Sequence, residues 1–235
     1  MIALVDERIN DSSLLNLKKI GAEPFLMPPA QFLQKGVASH PDMLVFVGFG
    51  KLFCHKTYYE ANKFLIDEII SASRLELILS NEKISEKYPH DVKFNAAIVG
   101  NTLICNKKNV SQLILAEADK NNYPIINVPQ GYTKCSTCVV SDNAIITADR
   151  PIYDACIAHG IDALLIDEGN IDLPGYDYGF IGGASGIFDD SVYFCGDISK
   201  HPNGKEIIEF CQEHGKTAIS LSDQRLFDIG TILFI

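Results

Sequence analysis

The sequence has no uninterrupted apolar run of roughly 18 residues, the length that a helix needs to cross a bilayer. We therefore expect no membrane-spanning segment and no membrane partner. The first residues, MIALVDERIND, carry acidic groups where a secretory signal peptide has a basic end followed by a long apolar stretch. The sequence therefore predicts a cytoplasmic protein.

Clusters of basic residues are also missing. The chain has 20 lysines and arginines against 30 aspartates and glutamates, which gives a formal net charge of −10 at pH 7. Binding to nucleic acid needs positive charge concentrated against phosphates. We therefore expect no nucleic-acid partner, and no feature of the sequence fixes an oligomeric state.

The seven cysteines lack the context of a disulfide framework, because no secretory signal accompanies them. Five lie in apolar stretches and are predicted to be small core residues: Cys54, Cys105, Cys156, Cys195 and Cys211. The spacing Cys135-Ser-Thr-Cys138 is typical of redox and zinc motifs, but the second such pair that a zinc site usually needs is absent. The sequence therefore predicts no metal and no other cofactor.

What the sequence does contain is an internal repeat. Residues 97–128 coincide in pattern with residues 138–169: an apolar run, a small polar turn, an apolar run, a polar break, a helix and a last apolar run. Residues 186–221 and 43–79 repeat the same order. A period of about 40–50 residues indicates supersecondary units that cannot bury their apolar faces alone. The fold should therefore follow from how the copies stack.

Each unit is predicted to be ββαβ, as the copy that begins near residue 138 illustrates. Its three strands are Thr137–Val140, Ala144–Thr147 and Ala163–Ile166. The first two are joined by polar residues that tolerate a tight hairpin. Asp149 is placed to cap the helix, Pro151 to occupy its first turn and Gly160 to end it.

The two ends of the sequence complete each other. Ile2–Val5, Ser12–Ile20 and Glu23–Met27 supply only βαβ, whereas Thr231–Ile235 is a strand without a partner. If the last strand pairs with the first, the units number five and no sheet edge is left open between them. We therefore predict one α/β domain over residues 1–235, with five ββαβ units in a closed pseudo-fivefold α/β propeller.

This architecture resembles the pentein superfamily, the α/β propellers of guanidine-modifying enzymes, and suggests a small bacterial-type branch of it. The superfamily includes deiminases, dimethylarginine hydrolases and amidinotransferases, and also a non-enzymatic ribosome anti-association factor. The resemblance implies a nucleophilic Cys near the C-terminus and a His on the equivalent strand of another unit. The corresponding segments, Phe227–Thr231 and Phe180–Ser185, contain neither residue. The usual attack of a thiolate on a guanidinium carbon therefore cannot be transferred residue by residue.

The resemblance also places the first strand of every unit at the centre, where residues two apart share one face. Alignment of the units gives three columns: Asp228, His40, Asp91, Tyr132 and Phe180; then Gly230, Asp42, Lys93, Lys134 and Gly182; then Ile232, Leu44, Asn95, Ser136 and Ala184. We predict that the charged members converge on one axial cavity. Such a cavity would suit a small cationic ligand, a guanidino or amine compound.

Roles are assigned to eight of these residues and their neighbours. The predicted catalytic residues are His40, Asp91, Lys134 and Cys135, and the predicted substrate-binding residues are Asp42, Asn95, Ser136 and Asp228. His40 has the pKa for proton transfer, and Lys134 is expected to lower the pKa of Cys135, making it the most reactive thiol.

Several alternatives remain open at this stage. His40 has a purely structural role if it only caps the start of a strand through a turn. Asp91 has a purely structural role if it forms an ion pair with Lys93. For the whole protein, one alternative is a hydrolase or amidinotransferase whose catalytic residues have moved to other units. The other is a non-catalytic assembly or binding protein.

Overall fold

The computed structural model describes residues 1–235 and arranges them as five three-stranded sheets, each accompanied by at least one helix. The first unit contains β1 (Ile2–Asp6), α1 (Asp11–Lys19) and β2 (Glu23–Met27). The second contains α2 (Pro41–Leu44), β3 (Val45–Gly48), β4 (Lys51–His55), α3 (Lys56–Ala61), α4 (Lys63–Ser73) and β5 (Glu76–Ser80). The third contains β6 (Ala97–Val99), β7 (Thr102–Cys105), α5 (Gln112–Lys120) and β8 (Ile125–Asn127).

The remaining units follow the same order. The fourth contains α6 (Thr133–Ser136), β9 (Cys138–Ser141), β10 (Ala144–Thr147), α7 (Arg150–Ala158) and β11 (Asp162–Leu165). The fifth contains β12 (Ser185–Phe188), β13 (Ser191–Phe194), a 3-10 turn (Ile198–Lys200), α8 (Gly204–Glu213) and β14 (Thr217–Ser220). The chain then adds β15 (Leu233–Phe234) to the first sheet.

Every sheet has the same pairing. The middle strand runs antiparallel to the first strand and parallel to the third, as in β4, which pairs Cys54 with Val45 and Lys51 with Glu76. A helix makes each parallel crossover, because a parallel connection cannot be a tight turn. The repeated ββαβ unit predicted from the sequence is therefore confirmed.

The first sheet is completed by a strand from the opposite end of the chain. β15 pairs antiparallel with β1, and Leu233 lies opposite Leu4. Beyond the strand, the Ile2 amide donates to the Ile235 carbonyl and the Ile235 amide donates to the Ile2 carbonyl, both at 3.0 Å. The predicted pairing of the N- and C-terminal strands is confirmed.

Local signals place the α7 helix as predicted. The Ile152 amide donates to the Asp149 carboxylate at 2.9 Å, which satisfies one of the unpaired amides of the first turn. Pro151 lies in that first turn, and Gly160 ends the segment with a φ of +79°. All seven cysteines are free and buried, which confirms the core positions predicted for five of them. No helix of the structure combines the length and apolarity needed to cross a membrane.

The predicted strands differ from the structure just before two of the sheets. Residues 41–44 and 133–136 form single helical turns, α2 and α6, rather than extended chain. Pro41 favours the first position of such a turn, and the Ser136 amide donates to the Tyr132 carbonyl at 2.9 Å. Successive side chains there rotate by about 100° instead of 180°. The expectation that residues two apart share one face is therefore wrong in these segments.

Candidate functional site

Buried polar side chains gather where the first strands and the turns that precede them meet. We call this group the central polar cluster: the buried Asp6, His40, Asp42, Asn95, Cys135, Asp228 and Thr231, and the half-buried Lys134. Six of the eight predicted site residues belong to it. Burying so many polar groups is costly unless they pair with one another or with a ligand.

His40 lies between two carboxylates in this cluster. Its Nε2 is 3.7 Å from Asp6 and its Nδ1 is 3.8 Å from Asp228, so neither ring nitrogen has a hydrogen-bond partner. Burial lowers the pKa of His40, although Asp228 and Asp6 oppose this shift. His40 precedes α2, but its side chain makes no capping hydrogen bond. The alternative in which the His40 side chain acts only as a cap is therefore not what the structure shows.

Asp228 is held by backbone amides and surrounded by glycine. One carboxylate oxygen accepts from the Phe180 amide at 2.8 Å and the other accepts from the Gly230 amide at 2.9 Å. A Cβ at Gly183 would lie 2.0 Å from the carboxylate. Burial raises the pKa of Asp228, and His40 opposes this shift. The glycines of this segment therefore serve the close approach of a buried acid.

Cys135 is a protonated thiol in this environment. Its Sγ donates to Asp42 at 3.1 Å and accepts from the Asn95 side-chain amide at 3.1 Å. Burial, followed by the charges of Asp42 and Asp228, raises the pKa of Cys135 well above its usual value. The Lys134 ammonium donates instead to the Thr231 hydroxyl at 3.1 Å. The expectation that Lys134 lowers the pKa of Cys135 is therefore wrong.

Asn95 holds the two helical turns together. Its carbonyl oxygen accepts from the amides of Lys134 and Cys135 at 2.7 and 3.2 Å, and its amide donates to the Asp42 carbonyl at 3.2 Å. Both the oxygen and the amide of the Asn95 side chain are therefore already bonded within the protein and are not free to bind a substrate. In this structure Asn95 therefore positions its neighbours.

Two other predicted residues lie outside the cluster. Asp91 accepts from the Tyr132 hydroxyl at 2.6 Å, and burial raises its pKa. Lys93 turns away and donates to the Asn109 carbonyl at 3.0 Å, so the alternative Asp91–Lys93 ion pair does not form. Ser136 is buried with no partner for its hydroxyl and lines a separate cavity of about 160 Å³.

A cavity of about 240 Å³ opens above one side of the central polar cluster. We call it the aromatic cavity, and it is lined by Val37, His40, Tyr132, Cys135, Leu173, Tyr176, Asp177, Tyr178, Phe180 and Asp228. The rings of Tyr132 and Phe180 stack at 6.2 Å, and Tyr178 meets Phe180 edge-on at 6.3 Å. The cavity thus combines aromatic walls with buried polar groups.

A second cavity of about 250 Å³ shares no lining residue with the first. We call it the apolar cavity, and it contacts Asp42, Lys134 and Thr231 together with residues from β3, β6, β9, β12 and β15. Asp42 and Lys134 therefore face one cavity, whereas His40 and Asp228 face the other. The prediction that they and Asp91 share one cavity is wrong, because the helical turns rotate neighbouring side chains apart.

Sequence reasoning missed several residues of the site. Asp6 ends β1 with its side chain fully buried, and Arg8 donates to it through Nε at 2.9 Å. The sequence signal for Asp6 was an acidic residue directly after the apolar run Ile2–Val5. Tyr176 and Tyr178 lie in the segment between β11 and β12, where no periodic pattern marks them. Thr231 was assigned only to a strand.

Comparison with known proteins places the chain in a defined group. A family model described as "Family of unknown function (DUF6873)" matches residues 4–233. No curated protein sequence matches the chain.

Solved structures show the fold. DDAH from Pseudomonas aeruginosa in complex with citrulline is similar with a TM-score of 0.60 and 9% identity, covering 94% of this chain and 91% of that one. Agmatine deiminase from C. jejuni has a TM-score of 0.54 and 11% identity over 94% and 76% of the two chains. The amidinotransferase SxtG from Microseira wollei has a TM-score of 0.55 and 10% identity over 89% and 72%. The chain has the pentein fold.

Proposed function

The chain belongs to the DUF6873 family, and we propose that it binds a small cationic ligand, a guanidino or amine compound, in the aromatic cavity. The observation that carries this proposal is the pairing of aromatic walls with acidic groups in one cavity. Four aromatic residues line it, Tyr132, Tyr176, Tyr178 and Phe180, and so do the acidic residues Asp177 and Asp228. Aromatic faces and carboxylates together favour a desolvated cation.

Asp228 is suited to the ligand's charge. An ionised carboxylate has about four acceptor positions, and backbone amides use two of those on Asp228. A cation bound beside it would hold it ionised and offset the cost of its burial. The remaining acceptor capacity therefore supports a donor-rich cation such as a guanidinium.

The cavity also suits a small ligand that enters from solvent. Its volume of about 240 Å³ is below the range of roughly 300–1,000 Å³ typical of drug-sized ligands. Tyr176 and Tyr178 are 40% and 37% exposed, so they form an accessible rim. The Tyr176 hydroxyl donates to Gln34 at 2.8 Å, which fixes one side of this rim.

The similar structures favour guanidino compounds over other cations. By their names, they include an agmatine deiminase, an amidinotransferase and a DDAH bound to citrulline. We extend the proposal to the architecture and infer that the five sheets close into a ring. The apolar cavity supports this inference, because strands from all five sheets line it.

Thermal shift with a panel of compounds tests the binding proposal. Guanidinium, arginine, agmatine, linear polyamines and choline are each added to the purified protein. A ligand that binds only the folded state raises the Tm by mass action. We expect at least one guanidino or amine compound to raise it, whereas uncharged urea does not.

Matched tyrosine variants locate the ligand. Replacing Tyr176→Leu removes one wall of the aromatic cavity and should weaken binding by about tenfold, the scale of one cation–π contact. Tyr153→Leu is the control, since Tyr153 lies on α7 and does not line the cavity. No shift with any cation, or equal loss in both variants, would contradict the proposal.

A second candidate function is thiol chemistry on the same ligand. It is favoured by the approach of Cys135, His40 and Asp42, whose reactive atoms all lie within 4.8 Å of one another. The Cys135 proton, which Sγ donates to Asp42 at 3.1 Å, would pass to that carboxylate as Sγ bonds to the guanidinium carbon, and the departing amine would take that proton. Water would then release the product and restore the thiol. Wild-type protein should release ammonia or amine that Cys135→Ser does not.

A further inference from the structure

We propose that His40, Asp42 and Cys135 form a binding site for a single zinc-like transition-metal ion. Each offers one ligand atom, and these atoms all lie within 4.8 Å of one another. His40 and Asp42 come from the turn before β3, whereas Cys135 comes from α6 of another unit. All three side chains are at most 2% exposed. The site goes beyond the proposed binding of an organic cation.

Unpaired atoms in two of the three residues point to a missing partner. Neither ring nitrogen of His40 has a hydrogen bond, and Oδ1 of Asp42 has none. Buried polar atoms are nearly always paired in folded proteins, so each exception requires an explanation. A metal ion supplies one, because it accepts lone pairs from a neutral imidazole and a carboxylate at once.

The surroundings of His40 match those of a metal-bound histidine. Such a ring usually directs its second nitrogen at a carboxylate, which fixes its orientation. The His40 nitrogens lie 3.7 Å from Asp6 and 3.8 Å from Asp228, so a carboxylate is near whichever nitrogen is left free. Arg8 already neutralises Asp6. The carboxylates of Asp6 and Asp228 therefore orient the His40 ring and are not themselves ligands of the ion.

The donor set selects the metal. A thiolate, an imidazole and a carboxylate together suit Zn²⁺, whereas Mg²⁺ and Ca²⁺ prefer oxygen ligands alone. Three protein ligands leave a fourth position free. His40 and Cys135 line the aromatic cavity, so that cavity provides both the entry path and the open position.

Binding requires two adjustments. Metal–ligand bonds of about 2.0–2.3 Å place ligand atoms roughly 3.5 Å apart, so the group contracts by about 1 Å. Cys135 also gives up its proton, which now lies in the hydrogen bond from Sγ to Asp42. The proton leaves to solvent as the sulfur–metal bond forms. The thiolate and the Asp42 carboxylate then balance the two charges of the ion.

Metal analysis and cobalt spectroscopy on the full chain test the site. The protein is stripped with a chelator, dialysed against Zn²⁺ and analysed for bound metal, and Co²⁺ is titrated separately as a spectroscopic probe. We expect one Zn²⁺ per chain. The cobalt complex should show a near-ultraviolet thiolate-to-metal band, because one ligand is sulfur.

Matched variants assign the ligands. Cys135→Ser and His40→Gln should each weaken Zn²⁺ binding by more than about 100-fold, since loss of even an outer partner costs about 10- to 100-fold. Cys138→Ser and His201→Gln are the controls, because both residues are equally buried but lie outside the three-residue group. The controls should bind Zn²⁺ as the wild-type protein does.

Three results would overturn the site: wild-type protein that binds no stoichiometric Zn²⁺, a cobalt spectrum without the thiolate band, or equal loss in the cysteine pair. The wild-type spectrum remains decisive even if a variant does not fold. Thermal shift with organic cations is run on metal-free protein, so failure of the metal site and failure of cation binding are separate outcomes.

Discussion

At the scale of single residues, Asp228 depends on neighbours that have no side chain. A Cβ at Gly183 would lie 2.0 Å from its carboxylate, and one at Gly179 would lie 2.5 Å from its Cβ. A phosphate-binding loop would instead direct several glycine amides at an anion ahead of a helix. Here the glycine-rich segment makes room for a buried acid that the backbone holds.

This packing predicts the effect of one methyl group. Gly183→Ala should lower the free energy of unfolding by about 3 kcal/mol, because the new methyl meets a fixed, buried carboxylate. Gly131→Ala is the matched control, since its Cβ meets the ring of Tyr88, which is 50% exposed and free to move. The control should change the free energy by no more than about 0.5 kcal/mol. Urea denaturation measures both, and equal losses would refute the prediction.

At the scale of elements, the strands were predictable because their signals are local. Short apolar runs, hairpin turn residues and the Asp149 cap each act over a few residues, and the structure has them as predicted. The α2 and α6 turns were not predictable, because one helical turn is too short to show a period of 3.6. Because the alignment treated these turns as strands, it predicted the wrong direction for the side chains that follow His40 and Tyr132.

The site was partly predictable for the same reason. Members of the first aligned column lie next to one another: Asp228 contacts His40 and the Phe180 amide, Tyr132 stacks on Phe180, and Asp91 bonds to Tyr132. One turn further along, the alignment no longer tells which way a side chain points. Asp6 and Tyr176 depend on contacts between distant segments, which no local pattern encodes.

The β15 strand predicts a large effect from a small deletion. Removing Thr231–Ile235 strips the partner from β1 and exposes its backbone edge. We expect the Tm to fall by at least about 10 °C, since each kcal/mol lost from the free energy of unfolding lowers the Tm of a chain of this size by about 2–4 °C. Self-association, measured by size-exclusion chromatography, should increase.

A point variant separates the strand from its polar side chain. The Thr231 hydroxyl lies 2.8 Å from the Asp42 carboxylate, 2.9 Å from the Gly182 carbonyl and 3.1 Å from the Lys134 ammonium. Thr231→Val removes these contacts while leaving β15 paired. This variant should lower the free energy of unfolding by at least about 1–3 kcal/mol, the cost of leaving a single buried polar group unsatisfied. The Tm of both variants is measured. If the deletion lowers the Tm no more than Thr231→Val does, β15 does not stabilise the first sheet.

At the scale of the whole molecule, the seven buried thiols give the protein a shared sensitivity to alkali. Burial raises the pKa of Cys138 and Cys156 to about 11, and that of four others to about 12: Cys54, Cys105, Cys195 and Cys211. The pKa of Cys135 is also well above its usual value. Above about pH 9, the unfolded chain loses these protons while the folded chain keeps them.

Stability should therefore be fully present below about pH 9 and fall as the pH rises toward 11. Each thiol contributes up to about 1.4 kcal/mol per pH unit in that window. Thermal melts from pH 7 to 11 measure the fall. Cys105→Ala removes one such thiol and should give a shallower slope than the wild-type protein. Identical slopes would assign the alkaline loss to other groups.

The pairing of β1 with β15 also bears on the order in which the molecule folds. Leu4 must find Leu233 across nearly the whole length of the chain, whereas the other four sheets join segments that are close in sequence. Contacts over long separations form slowly, because closing a long loop costs entropy before any contact is gained. On the ribosome, β1 leaves the exit tunnel well before its partner strand exists. We therefore expect Asp6 and Asp228 to meet around His40 late in assembly, after the other four units have formed their strands.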